Sequence, residues 1–230
     1  MYLSDPSNPP THAADDDVHA SSGGGYPSCV PVPPAARAAL IAGLVGAALF
    51  PTVYLLDGLL RPGYRTLVDP ISALAIGSGG WVQAVNFIVY GVVMVVSAWG
   101  WRVALAPGRA AILYPATRIL SGLALVATGV VHQGPVHNVV SYLSLIATVI
   151  GLFALAARLP GLPGWRGWPA AAVATALVEM GLLAAFGALT TPTGGGGIFE
   201  KLATIAVATF IIALTARTLL HGGRIPHASR

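Results

Sequence analysis

Apolar positions in this chain gather into six long runs, separated by short breaks rich in proline and glycine. The runs cover residues 38–56, 82–101, 110–131, 139–159, 168–189 and 198–220. At a rise of about 1.5 Å per residue, each is long enough to cross a hydrocarbon core of about 30 Å as a helix. Strands of a membrane barrel are about ten residues long and alternate in polarity, and these runs do neither. The pattern therefore predicts an all-α fold, a polytopic bundle of six transmembrane helices. Pro51 is expected to kink the first near its far end. Arg61-Pro62-Gly63, Ala106-Pro107-Gly108, Gln133-Gly134-Pro135, residues 160–169 and residues 191–197 supply the breaks, since proline and glycine interrupt helical continuity most strongly.

Residues 1–34 are a different kind of polymer. They hold Pro6, Pro9, Pro10, Pro27, Pro31, Pro33 and Pro34, an acidic run at 15–17 and glycines at 23–25. So little apolar surface cannot offset the entropy of ordering, which predicts a disordered tail. With no basic stretch leading into a short apolar one, a cleavable signal peptide is not expected. The first apolar run then serves as targeting signal and permanent span. This divides the chain into a tail (1–34), one membrane domain (35–221) and a short second tail (222–230).

Composition agrees. Of the 230 residues, 55% are hydrophobic and 9% charged, with mean hydropathy +0.75. A soluble domain carries about a quarter charged residues. The net charge of +4 and pI near 9.6 could suggest nucleic acid, but the arginines stand singly at the ends of apolar runs, as membrane anchors do. Cys29 is the lone cysteine, so neither a disulfide framework nor a cysteine metal motif is expected.

The basic residues set an orientation. With six spans and the N-terminus inside, nine of the 12 fall on the inner side: Arg37, Arg102, Arg109, Arg118, Arg158, Arg166, Arg217, Arg224 and Arg230. Arg61, Arg65 and Lys201 fall outside. The positive-inside rule then favours both termini in the cytoplasm, in a cytoplasmic (plasma) membrane. Trp99, Trp101, Trp165 and Trp168 mark the inner interface, and Trp81, Tyr54 and Tyr64 the outer one.

Polar side chains concentrate at the outer face in this orientation. Asp57, Asp69 and Ser72 lie in or beside the first outer loop, with Asn86 about one turn into the second span. The second outer loop carries His132, His137 and Asn138, and the third leads into Glu200 and Lys201. Asp57, Asp69, Ser72, Asn86, His137 and Glu200 are the candidate ligand-binding residues. Zinc takes imidazole and carboxylate ligands, so His132, His137 and Glu200, or Asp69 in place of Glu200, form a candidate metal set once the break at Pro135 turns the two rings together. The competing structural reading has these groups capping helix ends and bonding across loops, with Asp57 pairing Arg61 or Arg65.

Glu179 stands near the middle of the fifth run. A carboxylate there is costly unless it is protonated, paired or open to a water-filled cavity, which makes it a candidate intramembrane titrating group. Its structural alternative is a bond to Thr128, Ser144 or Thr148. Two pairs, Gly43 with Ala47 and Gly181 with Ala185, have the spacing that lets helices approach closely. They suit a tight bundle and are compatible with a homo-oligomer.

Three outer segments carry a family resemblance: Asp69-Pro70-Ile71-Ser72-Ala73-Leu74 followed by Gly79-Gly80-Trp81-Val82-Gln83, then Gly134-Pro135-Val136-His137-Asn138, then Gly197-Ile198-Phe199-Glu200-Lys201 leading to Ala216-Arg217-Thr218-Leu219-Leu220. Together, over about residues 38–220, they resemble a prokaryotic membrane family catalogued as domain of unknown function 998. The resemblance implies six membrane helices and places Ser72, His137 and Glu200 at the family's marked positions. Lys201 stands where it implies arginine, and His132 where it implies a small or acidic segment. It brings no activity with it.

The expectation from sequence is thus an integral membrane protein that binds a small molecule or a lipid headgroup at its outer face, with membrane lipid and no nucleic acid among its partners. The alternatives are a membrane-embedded metal-dependent hydrolase, using zinc on the histidine and carboxylate set, and a proton-coupled transporter subunit using Glu179.

Overall fold

The structure of the chain, a computed structural model, describes residues 31–106, 110–159, 165–190 and 195–220. The expectations for residues 1–30 and 221–230 lie outside this range. Six helices follow one another: α1 (Pro34–Leu60), α2 (Trp81–Ala104), α3 (Ala110–Val130), α4 (Pro135–Arg158), α5 (Trp168–Leu189) and α6 (Gly197–Leu220). A short 3-10 turn, Ile71–Ala75, interrupts the connection from α1 to α2. All six helices are long and apolar enough to cross a membrane.

The largest departures from the apolar runs are in α1 and α4, which begin earlier, at Pro34 and Pro135. Proline in the first helical turn loses an N–H that has no intrahelical partner anyway, so a residue expected to break a helix opens one instead. Helix α1 runs unbroken through Pro51, and α3 through Pro115.

Each helix packs beside its neighbours in sequence, and α6 returns against α1, closing a ring. Between apolar helices in lipid the gain comes from close packing, since lipid tails are as apolar as leucine. Glycines supply that closeness. A Cβ on Gly91 would strike the Gly122 carbonyl and one on Gly122 the Gly91 carbonyl, so α2 and α3 touch backbone to backbone. Gly43 gives room to the Ser97 side chain of α2. Gly181 does not: a Cβ there meets nothing within 4 Å, so this glycine makes no close helix contact within the bundle.

The ring is filled at one end only. Leu40, Trp101, Tyr114, Leu155, Ala172 and Leu214, one from each helix, belong to a single apolar cluster there. Trp101 meets Tyr114 edge to face with centroids 5.6 Å apart. At the same end Arg158 Nε donates to the Leu105 carbonyl (2.9 Å), and the Arg217 guanidinium lies 4.9 Å from the Trp165 ring centroid. At the opposite end, where the α1–α2, α3–α4 and α5–α6 connections gather, a smaller cluster of Phe50, Tyr54, Ile71, Leu74 and Phe87 seats the 3-10 turn on α1 and α2.

Candidate functional site

The first connection is clamped onto the start of α6. Gly197 and Ile198 donate their N–H groups to the carbonyls of Val68 and Leu67, both at 3.0 Å. A Cβ on Gly197 would collide with the Asp69 backbone, so only glycine permits this approach. Lys201 Nζ donates to the Asp69 carbonyl (2.7 Å), the Tyr64 hydroxyl donates to the Asp69 and Pro70 carbonyls (both 3.1 Å), and Glu200 Oε2 accepts the Ile71 N–H (2.8 Å). Glu200 thus caps the 3-10 turn, whose first N–H groups have no partner of their own. Burial, then the nearby carboxylates of Glu200 and Asp69, push the Tyr64 phenol well above its ordinary range, so it remains a donor.

Two ion pairs brace the same loop. Asp57 holds Arg61 at 2.8 Å, and Arg61 in turn donates to the Ser78 and Gly79 carbonyls. Asp69 accepts from the Arg65 N–H and from its guanidinium. Burial raises the Asp69 carboxyl, but these two bonds from Arg65 outweigh it and hold the group below its ordinary value.

Beneath the clamp the ring is hollow. A cavity of about 310 Å³ takes lining residues from all six helices and from the 3-10 turn. Its apolar side includes Phe50, Phe87, Met94 and Phe186, and its polar side is built by α3 and α4. There Ser121 Oγ donates to the Ser144 carbonyl (2.8 Å) while Ser144 Oγ donates back to the Ser121 carbonyl (3.0 Å). Thr148 Oγ1 donates to the Ser144 carbonyl and Thr128 Oγ1 to the Ala124 carbonyl, both at 3.0 Å. Hydroxyl pairs between helices satisfy each other where water is absent.

His137 closes the top of this ladder. Its Nδ1 lies 2.6 Å from the Val131 carbonyl, and Nε2 lies 3.5 Å from Ser141 Oγ. A carbonyl only accepts, so Nδ1 carries the proton. A residue in the first turn of α4 thereby ties that helix to the chain leaving α3.

Two ionisable side chains face the cavity from deeper in the bundle. Glu179 is 2% exposed, and Ala172, Ala176 and Glu179 form the buried stripe of α5. Its Oε2 has no hydrogen-bond partner among the described residues. Arg118 is buried on α3, with one guanidinium nitrogen on Ser97 Oγ (3.1 Å), its carbon 6.0 Å from the Tyr114 ring centroid, and Nε unpartnered among the described residues. The ion pairs among the described residues, Asp57 with Arg61 and Asp69 with Arg65, do not include Glu179 or Arg118.

These positions sort the residues singled out from sequence. Ser72, His137, Glu200 and Glu179 line the cavity; Asp57, Asp69 and Asn86 do not. Asn86 Nδ2 instead ties α2 to α1 by donating to the Phe50 carbonyl (3.1 Å). Thr128, Ser144 and Thr148, considered as partners for Glu179, bond within the α3–α4 ladder. Among the described residues no three histidine, cysteine or carboxylate side chains converge as a metal set. His132 is set apart on its loop while His137 turns inward and Glu200 caps the 3-10 turn, so the set His132, His137 and Glu200 is not assembled, nor is the version with Asp69. Arg118 needs a correction as well. Expected as an inner anchor, it lies eight residues inside α3, about 12 Å from the helix start. A charge that deep in an apolar run is the same signal that marks Glu179.

Fold and site together define a multi-pass helical membrane protein with a cavity, apolar on one side and polar on the other, set inside its ring. The chain belongs to the family described as protein of unknown function (DUF998), whose model matches residues 44–217. No curated protein and no solved structure matches it.

Proposed function

We propose that the protein is a binding protein of the cytoplasmic membrane. Its cavity, set in the non-cytoplasmic half of the bundle with both termini in the cytoplasm, holds the polar part of a small molecule or lipid. The observation that carries this reading is the cavity itself: about 310 Å³, at the small end of the usual range for ligand sites, with a buried carboxylate oxygen and a guanidinium nitrogen left without partners among the described residues. Buried polar groups are normally satisfied, and exceptions at a cavity wall are where a ligand completes the bonding. The basic residues of the opposite end support the orientation.

The test is native mass spectrometry of the full chain released from its own membrane in mild detergent. One bound molecule per chain is expected, and its retention should fall sharply in Ser141→Phe and Leu145→Trp, which fill the cavity from α4. A chain that emerges empty, or retention unchanged by both fillers in folded protein, would overturn the reading. Thiol labelling of single cysteines placed at Ser78 and Arg102, in intact cells, tests the orientation: only the first should react with an impermeant reagent.

A second reading has Glu179 as the titrating group of a proton-coupled transporter subunit, and its unpartnered oxygen supports that too. Against it stands the apolar cluster that fills the far end of the ring. Glu179→Gln should abolish flux in such a transporter; binding without flux would leave the first reading standing.

A further inference from the structure

The cavity wall has a chemical sign that goes beyond its shape, and a ligand class drawn from it rests on the binding reading. A hydroxyl has one proton to give and two lone pairs to receive with. The protons of Ser121, Ser144, Thr128 and Thr148 have backbone carbonyls as partners. His137, protonated at Nδ1, accepts the Ser141 O–H at Nε2, which leaves the Ser141 oxygen with lone pairs to receive with. Glu179 adds a carboxylate oxygen with no donor among the described residues. The α3–α4–α5 side of the cavity therefore offers acceptors and wants donors. Donors on this side are the Asn138 amide and the Tyr142 hydroxyl on α4 and, at the deep wall, Arg118, a cation with Nε unused. A molecule that satisfies both carries several N–H donors and, close by, an anionic group.

The opening indicates where such a molecule comes from. Nearly all lining residues are buried or half-buried; the exposed ones are Asn138 and Tyr142 on α4 and Thr190, just past the end of α5. Tyr142 lies seven residues into α4, about 10 Å from its first residue. The opening is thus a slot down the side of the bundle between α4 and α5, within the depth of the membrane, and Leu145 and Phe186 on the same two helices give it an apolar lining. Helix α5 is the least enclosed of the six, with 17% of its most apolar window buried against 33% or more in the others.

We propose that the cavity seats the headgroup of a membrane lipid bearing a primary ammonium and a phosphate, which enters sideways between α4 and α5 and leaves its acyl chains outside. The ammonium gives three N–H donors to Glu179 and the ladder hydroxyls, supplying the counter-charge that a carboxylate inside a membrane requires. The phosphate meets Arg118, whose planar guanidinium suits it. A quaternary ammonium, with no N–H, fits the same volume but leaves the acceptors unmet.

A headgroup series on the unaltered full chain tests this. In detergent, with lipids of identical chains, native mass spectrometry should show phosphatidylethanolamine retained at least about tenfold over phosphatidylcholine, with the N-methyl and N,N-dimethyl forms falling stepwise between. Glu179→Gln should bring the two end members close to parity. Phosphatidylethanolamine carrying a photoactivatable group in its chain should label peptides containing Tyr142 and Phe186. Equal retention of all headgroups, in protein whose binding Ser141→Phe still abolishes, would overturn the ammonium assignment and leave the cavity reading intact. Labelling confined to the α1–α2 surface would overturn the slot. Displacement by free phosphoethanolamine at concentrations matching the lipid would overturn the lipid and make the source a soluble molecule. Retention indifferent to both cavity fillers would instead sink the binding reading beneath it.

Discussion

Glu200 on α6 accepts the backbone N–H of Ile71 at 2.8 Å, across 129 residues of chain. The carboxylate nails down the 3-10 turn that roofs part of the cavity, and it does so from the helix that closes the ring. Glu200→Ala should therefore destabilise the fold by about 1–3 kcal/mol, the cost of leaving a partly buried donor unmet. Glu200→Gln keeps an acceptor and should recover most of the loss. Thermal unfolding followed by tryptophan fluorescence in detergent checks both, and equal melting of the two variants would disprove the capping role.

Lys201 and Tyr64 converge on one acceptor, the Asp69 carbonyl. Groups that share a partner do not contribute additively. Lys201→Met and Tyr64→Phe should each lower the melting temperature, and the double variant should differ from their sum by about 0.5 kcal/mol or more. A strictly additive cycle would show that the two bonds are independent.

The pair of Asp69 with Arg65 predicts a pH dependence. The Asp69 carboxyl titrates below its ordinary value of 3.8 when folded, so its contribution is fully present above that value. It is lost as pH falls through the lower, folded pKa. The melting temperature of the wild type minus that of Asp69→Asn should stay constant at neutral pH and shrink only in strong acid. Arg65 is largely exposed, so the difference will be small. A difference that grows on acidification would reverse the sign.

Two glycines should answer oppositely to the same change. Gly122→Ala places a methyl against the Gly91 carbonyl and should cost about 1–3 kcal/mol by overpacking. Gly181→Ala meets open space and should stabilise α5 by up to about 1 kcal/mol through helix propensity. Comparing their unfolding midpoints in one detergent decides it.

Much of the architecture is legible in the chain, because a membrane forces every backbone polar group to be satisfied within its own helix and so makes apolar length almost equivalent to structure. The ends of α5 and α6 fall where the hydropathy changes. The site is harder to read. Whether a polar side chain faces the ring's interior depends on how each helix is rotated, and rotation is set by contacts such as Gly91 on Gly122 that only the assembled bundle provides. Asp57 and Asn86 look as chemical in sequence as Glu200, yet the fold commits them to Arg61 and the Phe50 carbonyl. In sequence the serines and threonines of α3 and α4 stand out only as partners for Glu179, whereas in the bundle they build the polar wall. Arg118 reads as an anchor because arginine at a span's end is the commoner case.

The apolar cluster that fills one end of the ring has a thermodynamic consequence. A vessel closed at its base equilibrates with only the compartment or leaflet at its mouth. Its occupancy then follows the chemical potential of the guest on that side alone and is indifferent to the concentration across the bilayer. If the cavity binds as proposed, the protein converts the composition of one half of a membrane into a filled or empty state, which is the output of a gauge rather than of a pump.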